Sequence, residues 1–475
     1  MPDGQDPQGM KFSDALLSAW NKTLERRGAA PGIFRRDGEV ARTFPAIELE
    51  AAAFAKKLLE FPPGAVLAVQ IGNHVAWPAI FLACLRQRLV VLPLDESIGT
   101  QEREAALRIC HAMGIITVSV GGEEVEILPF QLSLPSHRWD NNAPCLLKLT
   151  SGTTAAPRAI RFRSEQLLAD CEQICATMAI RETDINFGVI PISHSYGFSN
   201  LLTPLIAHGV PVVLSVDRVP RAVLADLNRS RATVFPGTPV FYQAFCEMTD
   251  VQPPPALRLC ISAGAPLPAA TAKKFYQRFG LAIHSFYGSS ECGGICYDRS
   301  GKVFADGYVG EPMENVDVES MEPAAKLSRI RVRGAAVADD YYPKADREKL
   351  GDGVFVPDDV LAREGIGFRI AGRTSDVINV AGRKVNPAEV EAELAELPGI
   401  QQAVVFGRKS QFRNEEVAAC VVAGADVSES HLLRLCRKRL SGWQVPKRIF
   451  VVEKMPVNER GKVSRRELAR LFAER

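Results

Sequence analysis

The sequence predicts an α/β protein with a large N-terminal domain of helix-covered sheets and a smaller C-terminal α/β domain. From Phe44 to about Phe279, short apolar strands alternate with amphipathic helices, the pattern of parallel strands joined by helical crossovers. The chain has 475 residues, more than one hydrophobic core ordinarily serves. Its character shifts after Arg373, and the helices and strands beyond suffice for a second core. The expected boundaries are 1–373 and 374–475.

Along the chain, Ile47–Leu59 has helical period, Ala65–Ile71 reads as a strand, His74–Leu85 as a helix and Leu89–Leu94 as a strand. The apolar run Cys145–Leu149 leads into a hydroxyl-rich turn. Leu257–Ser262 reads as a strand, followed by the turn Ala263-Gly-Ala-Pro266 and a helix over Pro268–Phe279. Leu281–Ser285 is again strand-like, with a turn expected from Phe286 to Gly294. In the C-terminal part, Asn386–Leu397 and Glu429–Leu440 are helical, while Gln402–Phe406, Val417–Val422 and Arg448–Val452 are strand-like. Binding groups in parallel sheets gather on loops beyond the carboxyl ends of the strands.

Hydrophobic residues make up 47% and charged residues 24%, the composition of a soluble globular enzyme. A net charge of +2 without a basic, aromatic-laced stripe argues against a nucleic-acid partner. The apolar runs are too short for membrane insertion. The polar start has no apolar export segment, and the 11 cysteines never fall in C-x-x-C. Reduced, buried thiols in a cytoplasmic protein are therefore expected.

Four segments carry chemistry. Leu149-Thr-Ser-Gly-Thr-Thr-Ala-Ala-Pro-Arg158 offers amides and hydroxyls to a phosphate chain, and Arg158 adds a fixed positive charge. By itself such a segment is no more than a turn. Phe286-Tyr-Gly-Ser-Ser-Glu-Cys-Gly-Gly294 places an aromatic to stack a base, serines to bond a phosphate, and Glu291 to hold magnesium. Its plainer reading is a Gly/Ser turn with Glu291 capping a helix. The nucleophile-elbow pattern fails there, because Cys292 stands at the last glycine. Asp359 and Arg373, either side of a strand, suit two vicinal hydroxyls, or else form a surface ion pair. Lys462 follows a glycine on a polar loop before the terminal helix, where most lysines are merely solvated.

In this order and spacing, the segments resemble the adenylate-forming superfamily of acyl- and aryl-CoA synthetases, adenylation domains and luciferases. The likeness runs from about Phe44 to Leu468. It implies that Thr150, Ser151, Gly152, Thr153, Thr154 and Arg158 belong to the loop over the ATP phosphates. Gly264, Ala265 and Pro266 match the adenine-side turn, Tyr287 and Gly288 the adenine stack, and Ser289 and Ser290 the neighbouring phosphate contacts. Glu291 matches the magnesium ligand, Asp359 and Arg373 the ribose pair, and Ser375 the hinge of a mobile C-terminal domain. Gly382 matches the pantetheine-channel loop and Lys462 the catalytic lysine. Pro191-Ile-Ser-His-Ser-Tyr-Gly-Phe198 resembles P-x-x-H-x-x-G, placing His194 at the mouth of the acid pocket. Phe198, Val240, Phe241 and Gly293 then become wall or floor positions, with the glycines leaving room.

The resemblance implies that ATP and Mg2+ activate a carboxylic acid as an acyl-adenylate, releasing pyrophosphate, before transfer to the thiol of CoA. A phosphopantetheinyl acyl carrier protein is the alternative acceptor. A nucleotide-binding homologue without turnover is the alternative class. No carboxylate follows Phe198, where Ser199 and Asn200 stand, so an α-amino acid substrate is not expected. The chain departs from the family pattern at Ala155 and Ala159, which replace glycines, at Arg158, which replaces lysine, and at Pro357-Asp-Asp359.

Overall fold

The computed structural model describes residues 14–119, 124–130, 139, 143–150, 158–303, 305–380, 383–410, 414–424, 427–456 and 463–473. The chain divides into two compact units. The first comprises Met1–Glu319, Arg331–Pro357 and Glu364–Arg369; the second comprises Ser320–Ile330, Asp358–Arg363 and Ile370–Arg475. Two short segments upstream of Arg373 therefore cluster with the C-terminal part, and Asp359 goes with them.

The larger unit holds two sheets. One runs from Tyr341–Tyr342 through Ala159–Phe162, Leu146–Leu149, Val90–Pro93, Val66–Gln70 and Ala112–Val118 to Val125–Pro129. Its interior pairings from Leu146–Leu149 to Ala112–Val118 are parallel, while both margins are antiparallel. The other sheet has a parallel centre: Pro31–Phe34, Val212–Leu214, Asn186–Gly188, Val234–Gly237, Leu259–Ser262 and Ile283–Ser289. The central strands Asn186–Gly188, Val234–Gly237 and Leu259–Ser262 are buried throughout, as strands covered by helices must be.

The helix Trp77–Arg86 is buried from Trp77 to Leu85, which explains why its sequence is apolar all round rather than striped. The chain also folds before Phe44. Asp14 caps the helix Ala15–Arg27 by accepting from the Leu17 amide at 2.9 Å, and Leu16 and Trp20 enter the core. Expected elements return with small shifts, among them Phe44–Lys57, Val66–Gln70, Leu259–Ser262 and Ala269–Phe279.

One expectation needs correction. The strand after Leu281 does not stop at Ser285; it runs over Ile283–Ser289 and turns back as Gly293–Tyr297. Tyr287 pairs with Cys296 and Ser289 with Gly293. Tyr287, Gly288 and Ser289 are thus strand residues, and Glu291 lies at a hairpin turn rather than at a helix cap. Backbone pairing overrides the local turn signal of Gly and Ser.

In the smaller unit, Asn414–Ala423 pairs antiparallel with Ile400–Ser410 and parallel with Arg448–Val452. The helices Pro387–Ala395 and Glu429–Arg439 contribute Val390, Leu394, Leu432 and Cys436 to its core. Phe450 stacks on Phe472 at 4.2 Å between centroids, seating the terminal helix Arg465–Leu471. Arg465 ties down that helix's start, bonding Asp376, Glu391 and the Val405 carbonyl at 2.8–3.0 Å.

Candidate active site

The expected phosphate loop begins at the end of the strand Leu146–Leu149. The Thr150 amide and hydroxyl both donate to the Arg158 carbonyl, at 2.8 and 3.1 Å. These bonds clasp the two ends of the loop. Ser151, Gly152, Thr153, Thr154 and Ala155 lie outside the described residues. Arg158 lies over the Tyr341 ring at 4.4 Å and 3.7 Å from the Asp346 carboxylate.

Tyr341 links this loop to the hairpin. It pairs in the sheet with Ile160, and its hydroxyl donates to Glu291 Oε1 at 3.0 Å. Burial first, and then the Glu291 charge, push the Tyr341 hydroxyl far above its ordinary pKa, so it stays a donor. The Ala338 amide donates to the Glu291 carbonyl at 2.9 Å. A half-buried carboxylate aimed by a phenol and a backbone bond is a hard-oxygen donor of the kind magnesium takes alongside phosphates and water. The residues present therefore fit Mg2+, and Glu291 is the side chain that would hold it.

The neighbouring serines are also held. Ser195 donates to Ser290 at 2.9 Å, and the Glu291 amide donates to Ser289 Oγ at 3.2 Å. Tyr287 is buried. Gly264, Ala265 and Pro266 form an exposed turn just past Leu259–Ser262, and Gly264 adopts φ +83°, a conformation glycine supplies without strain.

Beneath the hairpin sits a polar pair that sequence reasoning missed. Asp170 Oδ1 accepts from the Gly294 amide at 3.0 Å. Burial pushes the Asp170 carboxyl above its ordinary pKa, against the pull of Lys148; burial likewise pushes the Lys148 ammonium down. Lys148 lies against the rings of Phe162 and Phe198, at 4.6 and 5.5 Å. The room that Gly293 was expected to leave is taken, because a Cβ there would stand 2.0 Å from Asp170 Oδ1. Above Gly294, the Met313 sulfur fills the space in the same way, at 2.4 Å.

His194 opens the short helix Ser195–Gly197, with its side chain 55% exposed and Nε2 3.1 Å from Asp95 Oδ2. That contact, together with bonds from Ser97, holds the Asp95 carboxyl far below the usual range despite its partial burial. Asn73 fixes the turn before the histidine, accepting from the Ile192 amide and donating to the carbonyls of Gly188, Ile190 and Ser215. Gly197 is required by close packing: a Cβ would stand 2.1 Å from the Pro191 carbonyl oxygen. Phe198 is buried edge-on to Phe81 at 5.2 Å. Val240 is exposed on the helix Pro239–Glu247, whereas Phe241 packs against Phe235.

In the smaller unit, Arg373 Nε lies 2.8 Å from Asp359 Oδ1, with side chains 65% and 13% exposed. Thr374–Asp376 form one 3-10 turn. Gly382 and Lys462 lie outside the described residues. Asn73, Asp95, Asp170 and Tyr341 were not singled out in the sequence. Each acts through a partner at least 50 residues away, as with Tyr341 and Glu291, so no local spacing announces it.

The larger unit thus carries the clasped ends of the hydroxyl-rich segment, the Glu291 carboxylate oriented by Tyr341, and the His194 turn. The chain belongs to the AMP-binding enzyme family: that family's profile matches residues 21–342, and the profile of the AMP-binding enzyme C-terminal domain matches residues 389–462. A feruloyl-CoA synthase of Amycolatopsis sp is 30% identical over 472 residues, covering 92% of this chain and 95% of that protein. An oxalate–CoA ligase of Arabidopsis thaliana is 26% identical, covering 87% and 89%. Among solved structures, ATP-bound MatB from Rhodopseudomonas palustris superposes with a TM-score of 0.83 at 20% identity, over 96% of this chain and 99% of that one.

Proposed function

We propose that this chain is an AMP-forming acid–thiol ligase that uses ATP to activate a carboxylic acid other than an α-amino acid and passes the acyl group to CoA. Family membership supports the class. The observation that carries the reading is the run Arg158–Tyr341–Glu291, which joins the phosphate loop to an oriented magnesium ligand. A carboxylate is a poor electrophile, and attack of its oxygen on the ATP α-phosphate, expelling pyrophosphate, makes AMP the later leaving group. Two anions must meet in that step, so positive charge at the meeting point lowers the barrier.

In this reading Glu291 would hold Mg2+, which would neutralise charge on the phosphates. The Thr150–Arg158 loop and Ser290 bind phosphate oxygens, Tyr287 and the Gly264 turn receive the base, and the Asp359–Arg373 pair receives the ribose. His194, aligned by Asp95, borders the acid. Lys462 serves adenylation and Gly382 the thiol step. The relatives named above act on acids as different as ferulate and oxalate, so the acid is left at the level of its class. No helix among the described residues is long and apolar enough to cross a membrane, and all eleven cysteines are free and buried, which supports a cytoplasmic location.

The test is pyrophosphate release across fatty, aromatic and dicarboxylic acids, followed by mass detection of the thioester with CoA or a carrier protein. Acid-dependent release and an acyl-CoA product are expected. ATP binding without release for any acid would refute the ligase reading, and thioester on the carrier protein alone would replace CoA as acceptor.

A further inference from the structure

Away from the nucleotide residues, the helix Ser164–Thr177 carries Cys171 and Cys175, one turn apart on the same face. His208 ends the helix Thr203–His208. One ligand atom from each of these three residues lies within 4.8 Å of the others. Both thiols are buried, and His208 Nε2 is buried without a hydrogen-bond partner. An orphaned buried nitrogen calls for an explanation, and a nitrogen of the same imidazole ring lies within 4.8 Å of two thiols.

We propose that Cys171, Cys175 and His208 form a binding site for a thiophilic divalent metal ion of the zinc class. Zinc–sulfur bonds of about 2.3 Å and zinc–nitrogen bonds of about 2.0 Å bring tetrahedral ligand atoms to within roughly 4 Å of one another. The observed spread therefore closes with small side-chain adjustments. Binding breaks two S–H bonds and forms two sulfur–metal bonds and one nitrogen–metal bond. Both protons leave to solvent, and nothing is oxidised or reduced.

The charge balance favours a divalent ion. Two thiolates and a neutral imidazole around a dication make an uncharged complex, which avoids the cost of leaving net charge among Ile174, Met178, Ala207 and Val210. A monovalent ion with the same ligands leaves a negative charge there. A water molecule suits the fourth position, and the Thr203 hydroxyl, which donates to the Ser199 carbonyl at 3.1 Å, lies beside Cys171. Arg26 and Glu172 are the charged groups near His208. An ion at this site staples the helix bearing Asp170 to the helix that continues from the His194 segment.

The test uses full-length protein purified without chelator. Its zinc content is measured after dialysis against Zn2+, and Co2+ is added as an optical probe. About one ion per chain is expected, with a thiolate-to-cobalt absorption band and a raised melting temperature. The Cys171→Ser/Cys175→Ser variant should lose the band while its pyrophosphate release, assayed with Mg2+ and without zinc or cobalt, stays unchanged. No band in the wild type, or an undiminished band in that variant, overturns the proposal. If the double variant does not fold, His208→Gln replaces it: at least ~10-fold weaker cobalt binding supports the site, and equal binding overturns it. Copper(I) titration in parallel tests the charge argument, and tighter retention of copper(I) than of zinc overturns the divalent assignment.

Discussion

The hairpin Ile283–Tyr297 and the pair Asp359–Arg373 carry groups assigned to the same nucleotide, yet they are built in opposite ways. Within the hairpin turn, Ser290 and Glu291 are each bonded by a side chain from elsewhere in the larger unit, Ser195 and Tyr341. Asp170 packs so closely beneath that Gly293 has no space for a Cβ. Arg373, by contrast, is 65% exposed and meets Asp359 at 2.8 Å. Protein groups alone hold the hairpin, which in the proposed function lowers the ordering cost at the reacting phosphate. In the proposed function this more exposed pair receives the ribose. The hairpin groups proposed to meet the reacting phosphate are thus more buried and more tightly packed than the pair proposed to meet the ribose.

Substitutions can break that contrast, and the largest effect is expected at Lys462. Lys462→Ala should lower adenylation on the order of 10²–10³-fold and leave thiol transfer from a preformed adenylate much less affected. Pyrophosphate release and single-turnover thioester formation measure the two steps, and equal losses would remove its assignment to the first.

Gly293→Ala should destabilise the larger unit by roughly 2–4 kcal/mol in chemical denaturation, through overpacking and a left-handed backbone at φ +70°. Adding Asp170→Ala should recover part of that loss. Strict additivity of the two changes would show that they do not meet.

Tyr341→Phe removes the bond to Glu291 and should cost about tenfold in kcat/KM for ATP, with a shifted magnesium dependence. An unchanged magnesium dependence would mean that the hairpin does not need its phenol. Arg373→Ala should raise KM for ATP several-fold and change stability by less than about 1 kcal/mol. A large loss of folding stability there would erase the contrast between the two regions.

The smallest effect concerns pH. The Asp95 pKa is depressed in the folded protein. Its contribution is therefore fully present above the ordinary aspartate value near ~3.9 and is lost as pH falls through the folded value. Wild type and Asp95→Asn should differ in melting temperature at neutral pH and converge in acid. A difference that grows on acidification would contradict the contact with His194.

Much of this architecture was legible because burial periodicity is local. The helix Glu429–Arg439 and the strand Arg448–Val452 show their facing pattern within their own residues. The hairpin was not legible. Gly288 and Ser289 carry a turn signal, while their extended form comes from pairing with Gly293 and Gly294. The segments Ser320–Ile330 and Asp358–Arg363 were likewise assigned by chain position, although contacts group them with the C-terminal unit. At the site, the groups proposed to touch ligand stand in dense motifs. The groups that aim them, Tyr341 and Asp95, sit in unremarkable stretches and acquire meaning only through folding.

The clasp between Thr150 and Arg158 sets a limit on reach. A strand of chain pinned at neighbouring points can extend no farther than half its contour, which for the span 150–158 is roughly 13 Å. In the proposed function, the phosphate chain then lies within about that reach of the Thr150–Arg158 clasp, plus the length of the side chain or hydrogen bond that holds it. Lengthening the segment would widen the radius without adding a single contact, so insertions there should loosen discrimination between short and long phosphate chains before they weaken binding itself.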